Sequence, residues 1–208
     1  GLGDVYKRQH HSKDLVNWEL IGYGLHREDQ CNGDMNLVDV QSDGGIHAPT
    51  IRYHKGTFYI ITTNVYNSGD GKPGLMRNFV ITAKDPSGPW SEPHIIAGAP
   101  GIDPDIFFDT NGKVYFTGTH SPGDMNANGI GEIWIQELDI KKWELKGDRH
   151  TIWDGVFGCC TEGPHIYKEH GLYYLLVAEG GTGKNHAVMM AASENILGPY
   201  DCLLYTSP

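Results

Sequence analysis

Two acidic side chains stand at matching places in a repeated stretch of this chain. Asp103 lies in Ile102-Asp103-Pro104-Asp105 and Glu162 in Thr161-Glu162-Gly163-Pro164, each just ahead of a proline that opens an apolar run. The corresponding place in an earlier unit reads His47-Ala48-Pro49, with a histidine and no acid. Carboxyl groups held together in a partly desolvated cleft suit general acid–base work. One with a raised pKa keeps a proton for a leaving oxygen, and another takes a proton from water. Hydrolysis of a glycosidic bond is the reaction such carboxyls serve. A negative charge at Asp103 disfavours a second one at Glu162, so Glu162 is the member expected to hold its proton nearer neutral pH. Plainer roles fit the same positions, since Asp before Pro initiates turns and a Glu ahead of Gly-Pro fits an exposed loop.

The elements that must hold these side chains repeat along the chain. A proline, an apolar run, a glycine turn and a second apolar run occur as Pro49 to Tyr53, Gly56, then Phe58 to Ile61. They recur as Pro104 to Phe108, Gly112, then Val114 to Phe116, and as Pro164 to Tyr167, Gly171, then Tyr173 to Leu176. The prolines lie 55 and 60 residues apart, and each turn glycine follows its proline by seven or eight positions. A third apolar run follows each pair: Asn78 to Ala83, Glu132 to Gln136 and Ala187 to Met190. Such runs predict antiparallel hairpins, and each unit, with about three or four strands, has the size of a β-propeller blade. The expected fold is all-β, a propeller whose equivalent strand ends converge on a channel. Ser12 to Glu19 matches only the end of a unit, so about three full blades and a remnant are expected, fewer than the roughly four to eight that close a ring. Residues 10–201 are read as a partial propeller domain. Residues 1–9 and 202–208 lack the pattern and are read as non-native or read-through ends.

Composition agrees and excludes other classes. The chain has 208 residues, of which 28 are Gly and 11 Pro, alongside 22 aromatics. That mixture disfavours a helical bundle, in which each interior Gly costs roughly 1 kcal/mol relative to Ala. A net charge of −10 disfavours nucleic acid and anionic membrane surfaces, and no apolar run approaches the roughly 18 residues of a membrane helix. A soluble protein with a neutral ligand is expected; the compartment is left open. Cys31, Cys159, Cys160 and Cys202 give no paired spacing for zinc, and the adjacent pair makes a poor disulfide.

Three long motifs carry a resemblance. Gly44 to Tyr59 (GGIHAPTIRYHKGTFY), Gly101 to Asp109 (GIDPDIFFD) and Glu162 to Lys168 (EGPHIYK) are similar to glycoside hydrolase family 43, in its β-xylosidase and α-L-arabinofuranosidase branch, with nearly all of 10–201 covered in the family's order. The resemblance implies a five-bladed propeller and inverting hydrolysis of xylo-oligosaccharides or arabinose-substituted saccharides by three acids. Glu162 matches the proton donor, and Asp103 the acid that tunes its pKa and orientation. The general base belongs to an Asp-Pro motif of the first blade, and no such motif precedes His10, so the 208 residues alone are expected to be inactive. Phe79 matches an aromatic near the sugar, and fits a strand core equally well. His47 stands where relatives carry an aromatic, and His186 matches a histidine near the channel. No cofactor is required. Some members hold a water-ligated cation near that histidine, but calcium prefers oxygen ligands, and no metal is assigned to a lone His. A non-catalytic carbohydrate-binding propeller is the rival reading.

Further residues take plainer readings. Glu179 in Glu179-Gly180-Gly181-Thr182 fits a loop that shapes the pocket and is no phosphate loop. The five tryptophans are expected at blade ends, most of them in structural roles, and Asp14, Asp85 and Glu194 in solvated turns.

Overall fold

The computed structural model describes residues 8–27, 30, 44–66, 75–156 and 159–206. The chain divides into two compact units, Gly1–Ile95 and Ile96–Pro208. Both are built from antiparallel strands, so the all-β expectation holds.

In the first unit, β1 (Arg8–His11) pairs with β2 (Glu19–Tyr23). The turn between them is closed by Asp14, whose Oδ1 accepts the Val16 and Asn17 N–H groups at 2.9 and 2.8 Å. Those bonds, the one from the Asn17 backbone foremost, hold this solvated carboxyl well below the usual range. A four-stranded sheet follows in the order β3 (Gly45–His54), β4 (Thr57–Tyr66), β5 (Leu75–Ala83), β6 (His94–Ile95). The β3–β4 hairpin turns on Lys55 (φ 46°) and Gly56 (φ 78°), two consecutive left-handed residues of the kind a two-residue hairpin needs. In β4, consecutive residues from Tyr59 to Val65 are buried, which is why the sequence there is a continuous run and not an alternation. The core gathers Leu25, Ile46, Ile60, Phe79, Ile81, Ala83 and Trp90.

The second unit holds two such sheets. One runs β7 (Asp105–Phe108), β8 (Val114–His120), β9 (Glu132–Asp139), β10 (Glu144–Trp153), the other β11 (Glu162–Glu169), β12 (Leu172–Glu179), β13 (Ala187–Ser193), β14 (Asp201–Thr206). The strand β11 packs beside β7 and β8. Phe107, Ile133 and Ile135 from the first sheet join Ile166, Leu175 and Met189 from the second in one core. A polar strut crosses the same seam. Lys168 Nζ donates to Asp109 Oδ1 (2.8 Å) and to the Tyr173 hydroxyl (2.7 Å), which in turn donates to Asp109 Oδ2 (2.9 Å).

Each repeat predicted from sequence is thus one four-stranded meander. Most of 202–208, set apart above for want of pattern, supplies β14: Cys202 pairs with Ala191 and Leu204 with Met190. Backbone hydrogen bonds join a strand to a sheet edge whatever its side chains. Residues 1–7 and 207–208 lie outside the described residues. Trp134 departs from the expected blade end, since it sits in mid-strand, fully buried, stacked on Phe116 at 4.8 Å.

Candidate active site

Three strands open the three four-stranded sheets, and an irregularity occurs in or just ahead of each. In β3, His47 pairs with Thr63 and Thr50 with Ile61, so one extra residue is accommodated between them. In β11, Glu162 pairs with Ala178 and His165 with Leu176, again with one extra residue. Ahead of β7, the Ile102 carbonyl accepts the Thr119 N–H at 3.2 Å while Asp105 pairs with Thr117. The irregularities in β3 and β11 are β-bulges, devices that re-aim side chains at a strand end, and the bond spacing ahead of β7 likewise leaves room for one extra residue. The residue before each proline takes the left-handed conformation: Ala48 at φ 38°, Asp103 at 56°, Gly163 at 61°. Glycine adopts it freely, while Asp bears it better than most side chains.

This geometry brings the two acids together. The Gly163 N–H donates to the Asp103 carboxylate, so the backbone that follows Glu162 touches the side chain of Asp103. Burial pushes the Asp103 carboxyl up, against the pull of the Gly163 N–H and of His165. Glu162 is half-buried, and its carboxyl is also raised: burial contributes most, the Asp103 charge adds to it, and His186 opposes it. The sequence expectation named charge repulsion as the cause; desolvation proves the larger one.

The other expected residues fall in different places. His186 is exposed in the segment after β12, its Nδ1 2.7 Å from the Gly181 carbonyl, within electrostatic reach of Glu162. His47 lies in the first unit, half-exposed at the β3 bulge, its carbonyl accepting the Thr62 hydroxyl at 2.5 Å. Phe79, expected to contact a sugar, lies in the first-unit core with no exposed surface. Fully buried in that cluster, the ring packs the core of the sheet.

Sequence reading assigns neither His165 nor Thr119 to the site and gives Glu179 only a pocket-shaping place. His165, three residues after Glu162, has Nδ1 3.3 Å from Oδ2 of the fully buried Asp105. Glu179, read as a pocket-shaping loop acid, is fully buried at the end of β12; it accepts the Trp153 indole N–H at 2.7 Å and the Val156 N–H at 2.9 Å. Thr119, fully buried at the end of β8, touches the backbone ahead of both acids. Only Glu179, an acid before a glycine pair, carried a signal that could be seen in advance. Cys159, Cys160 and Cys202 are free thiols, and Cys31 lies outside the described residues. Among the described residues, no group of three or more His, Cys, Asp or Glu side chains is placed to hold a metal ion.

Comparison with known proteins gives this arrangement its setting. The family model of glycosyl hydrolases family 43 matches residues 6–203. A xylosidase/arabinosidase of Butyrivibrio fibrisolvens is 47% identical over 193 residues, covering 89% of this chain and 34% of that protein. A xylan 1,3-β-xylosidase of a Vibrio species is 39% identical over 192 residues, covering 92% and 35%. The crystal structure of xylan β-1,4-xylosidase from Bacillus halodurans C-125 superposes with a TM-score of 0.81 at 36% identity, over 94% of this chain and 36% of that one. The chain belongs to glycosyl hydrolase family 43. It spans about a third of the length of these relatives.

Proposed function

We propose that the whole protein is a glycosidase that cleaves xylose- or arabinose-terminated saccharides with inversion, and that Glu162 is its proton donor. The observation that carries this reading is the junction of Glu162 with Asp103 in the second unit, where the donor's carboxyl is raised in a chain of family 43. The Glu162 carboxyl protonates the glycosidic oxygen as the bond to the anomeric carbon breaks. A water molecule attacks that carbon from the opposite face, and a general base takes the water's proton. Asp103 is tied to the residue after Glu162, a position for tuning the donor. The base of an inverting enzyme stands roughly 6.5 to 9.5 Å from the acid, across the sugar. That role falls outside the acids assigned in these 208 residues. His186, within electrostatic reach of Glu162, is assigned to sugar binding in the second unit, and His47 is proposed separately as a sugar contact of the first unit. The four-stranded sheets are read as blades of a five-bladed propeller, a reading supported by the bulges at repeat-equivalent positions of β3 and β11.

The test is hydrolysis of nitrophenyl β-xyloside and nitrophenyl α-L-arabinofuranoside by the whole protein, with the anomer first released read by NMR. Inverted product is expected, and Glu162→Gln should slow hydrolysis of unactivated xylo-oligosaccharides far more than that of the nitrophenyl substrates. Binding of xylose oligomers with no cleavage would establish the carbohydrate-binding rival instead.

A further inference from the structure

We infer that Thr119 is a positioning residue that fixes the spacing of Glu162 and Asp103 by holding the backbone ahead of each. Its side-chain hydroxyl donates to the Thr161 carbonyl at 2.8 Å, one peptide before Glu162. Its backbone N–H donates to the Ile102 carbonyl at 3.2 Å, one peptide before Asp103. One buried residue of β8 therefore grips both acid-bearing segments, which come from sequence positions nearly 60 apart.

The grip is reinforced. The Gly131 N–H is shared between the Thr119 hydroxyl (3.1 Å) and the Thr161 carbonyl (3.2 Å), so both polar atoms of the contact have further partners. Gly101 makes the close approach possible, because a Cβ there would lie 1.6 Å from the Thr119 carbonyl oxygen. Thr119 and Thr161 are both buried, so water does not compete for these bonds. Valine at 119 would keep the shape and lose the donor, leaving the Thr161 carbonyl with the Gly131 N–H alone.

The consequence for a proton donor is specific. The groups that act electrostatically on Glu162 are Asp103 ahead of β7 and His186 after β12, while Cys160 feels the Glu162 charge from the segment before β11. His165, on the same strand as Glu162, acts on Asp103. Letting the 161–163 segment drift from Asp103 weakens the repulsion that helps Glu162 keep its proton. The donor then ionises at lower pH and is aimed less well.

The inference rests on the reading of Glu162 as proton donor, and its test separates the two. In the whole protein, Thr119→Val should lower kcat about tenfold or more on a xyloside with a poorly acidic leaving group. On a dinitrophenyl xyloside, whose leaving group departs without a proton, kcat should change less than about twofold. The alkaline limb of the pH profile should move to lower pH, and Thr119→Ser, which keeps the hydroxyl, should retain parental values on every measure. Equal loss on both substrates, an unmoved limb, or a Ser variant that shifts the limb overturns the inference; the Ser arm decides even if the Val protein does not fold. If Glu162→Ala itself shows no dependence on the leaving group, the donor assignment fails, whatever Thr119 does.

Discussion

The strand that opens the four-stranded sheet of the first unit and the one that opens the last sheet of the second share a backbone device and differ in what it presents. β3 carries His47-Ala48-Pro49 across its bulge and β11 carries Glu162-Gly163-Pro164 across the equivalent one. In β11 the left-handed residue is glycine, and its N–H reaches the carboxylate of Asp103. In β3 that residue is alanine, which bears the strain of a positive φ. The segment before β7 falls between them: the left-handed residue is Asp103 itself, so the acid sits one position closer to its proline than Glu162 does. The repeat therefore supplies a scaffold for aiming a side chain at the strand end, and the residue placed on it decides whether a carboxyl, an imidazole or a methyl group stands there.

The contrast breaks most sharply at Glu162, the residue proposed as proton donor. Glu162→Gln in the whole protein should lower kcat on an unactivated xyloside by about 10²- to 10⁴-fold, the usual share of a positioned general acid. His47→Gln, at the matching place in β3, should leave kcat within about tenfold and act chiefly on KM. A His47 effect on kcat as large as that of Glu162 would mean that both bulges serve proton transfer.

Next come the two cores. Phe79→Ala in the first unit and Trp134→Ala in the second should each cost about 3 to 5 kcal/mol, read by chemical denaturation. If Phe79→Ala leaves stability unchanged and raises KM instead, the ring is a sugar platform after all.

Smaller effects test the bulge itself. A Cβ on Gly163 meets nothing within 4 Å, so Gly163→Ala bears only the left-handed cost, about 1 to 2 kcal/mol. Ala48→Gly removes that cost in β3, although the freedom glycine gains in the unfolded chain offsets part of it; a gain of up to about 1 kcal/mol is expected. Loss of stability in both variants would show that the two bulges are not equivalent.

The finest distinction concerns pH. The Asp103 charge raises the Glu162 carboxyl, so Asp103→Asn should lower it and move the alkaline limb of kcat/KM to lower pH. Burial is the larger cause and survives the substitution, so the donor should remain above the ordinary range for glutamate. A limb that moves to higher pH would sink the assignment of Asp103 as tuner.

Much of this was legible without coordinates. Hairpin glycines such as Gly56 and Gly171 announce themselves, because few other residues accept the turn they occupy. Asp103 and Glu162 stand out because carboxylates beside apolar strands need a reason. Phe79 could not be resolved in advance, since a ring that packs a core and one that stacks on a sugar share the same sequence neighbours. β14 was missed because edge pairing is made by backbone atoms that every residue carries.

By itself the sequence determined the period of the repeat, the strand type, the turns and the identity of the two acids, all properties of neighbours along the chain. The tertiary structure decided the rest: the extra residue in β3 and in β11, the dominance of burial over charge at Glu162, and the grip of Thr119 on Ile102 and Thr161. These depend on which distant segments exclude water from one another, and a threonine in a strand carries no local mark of the two carbonyls it will hold.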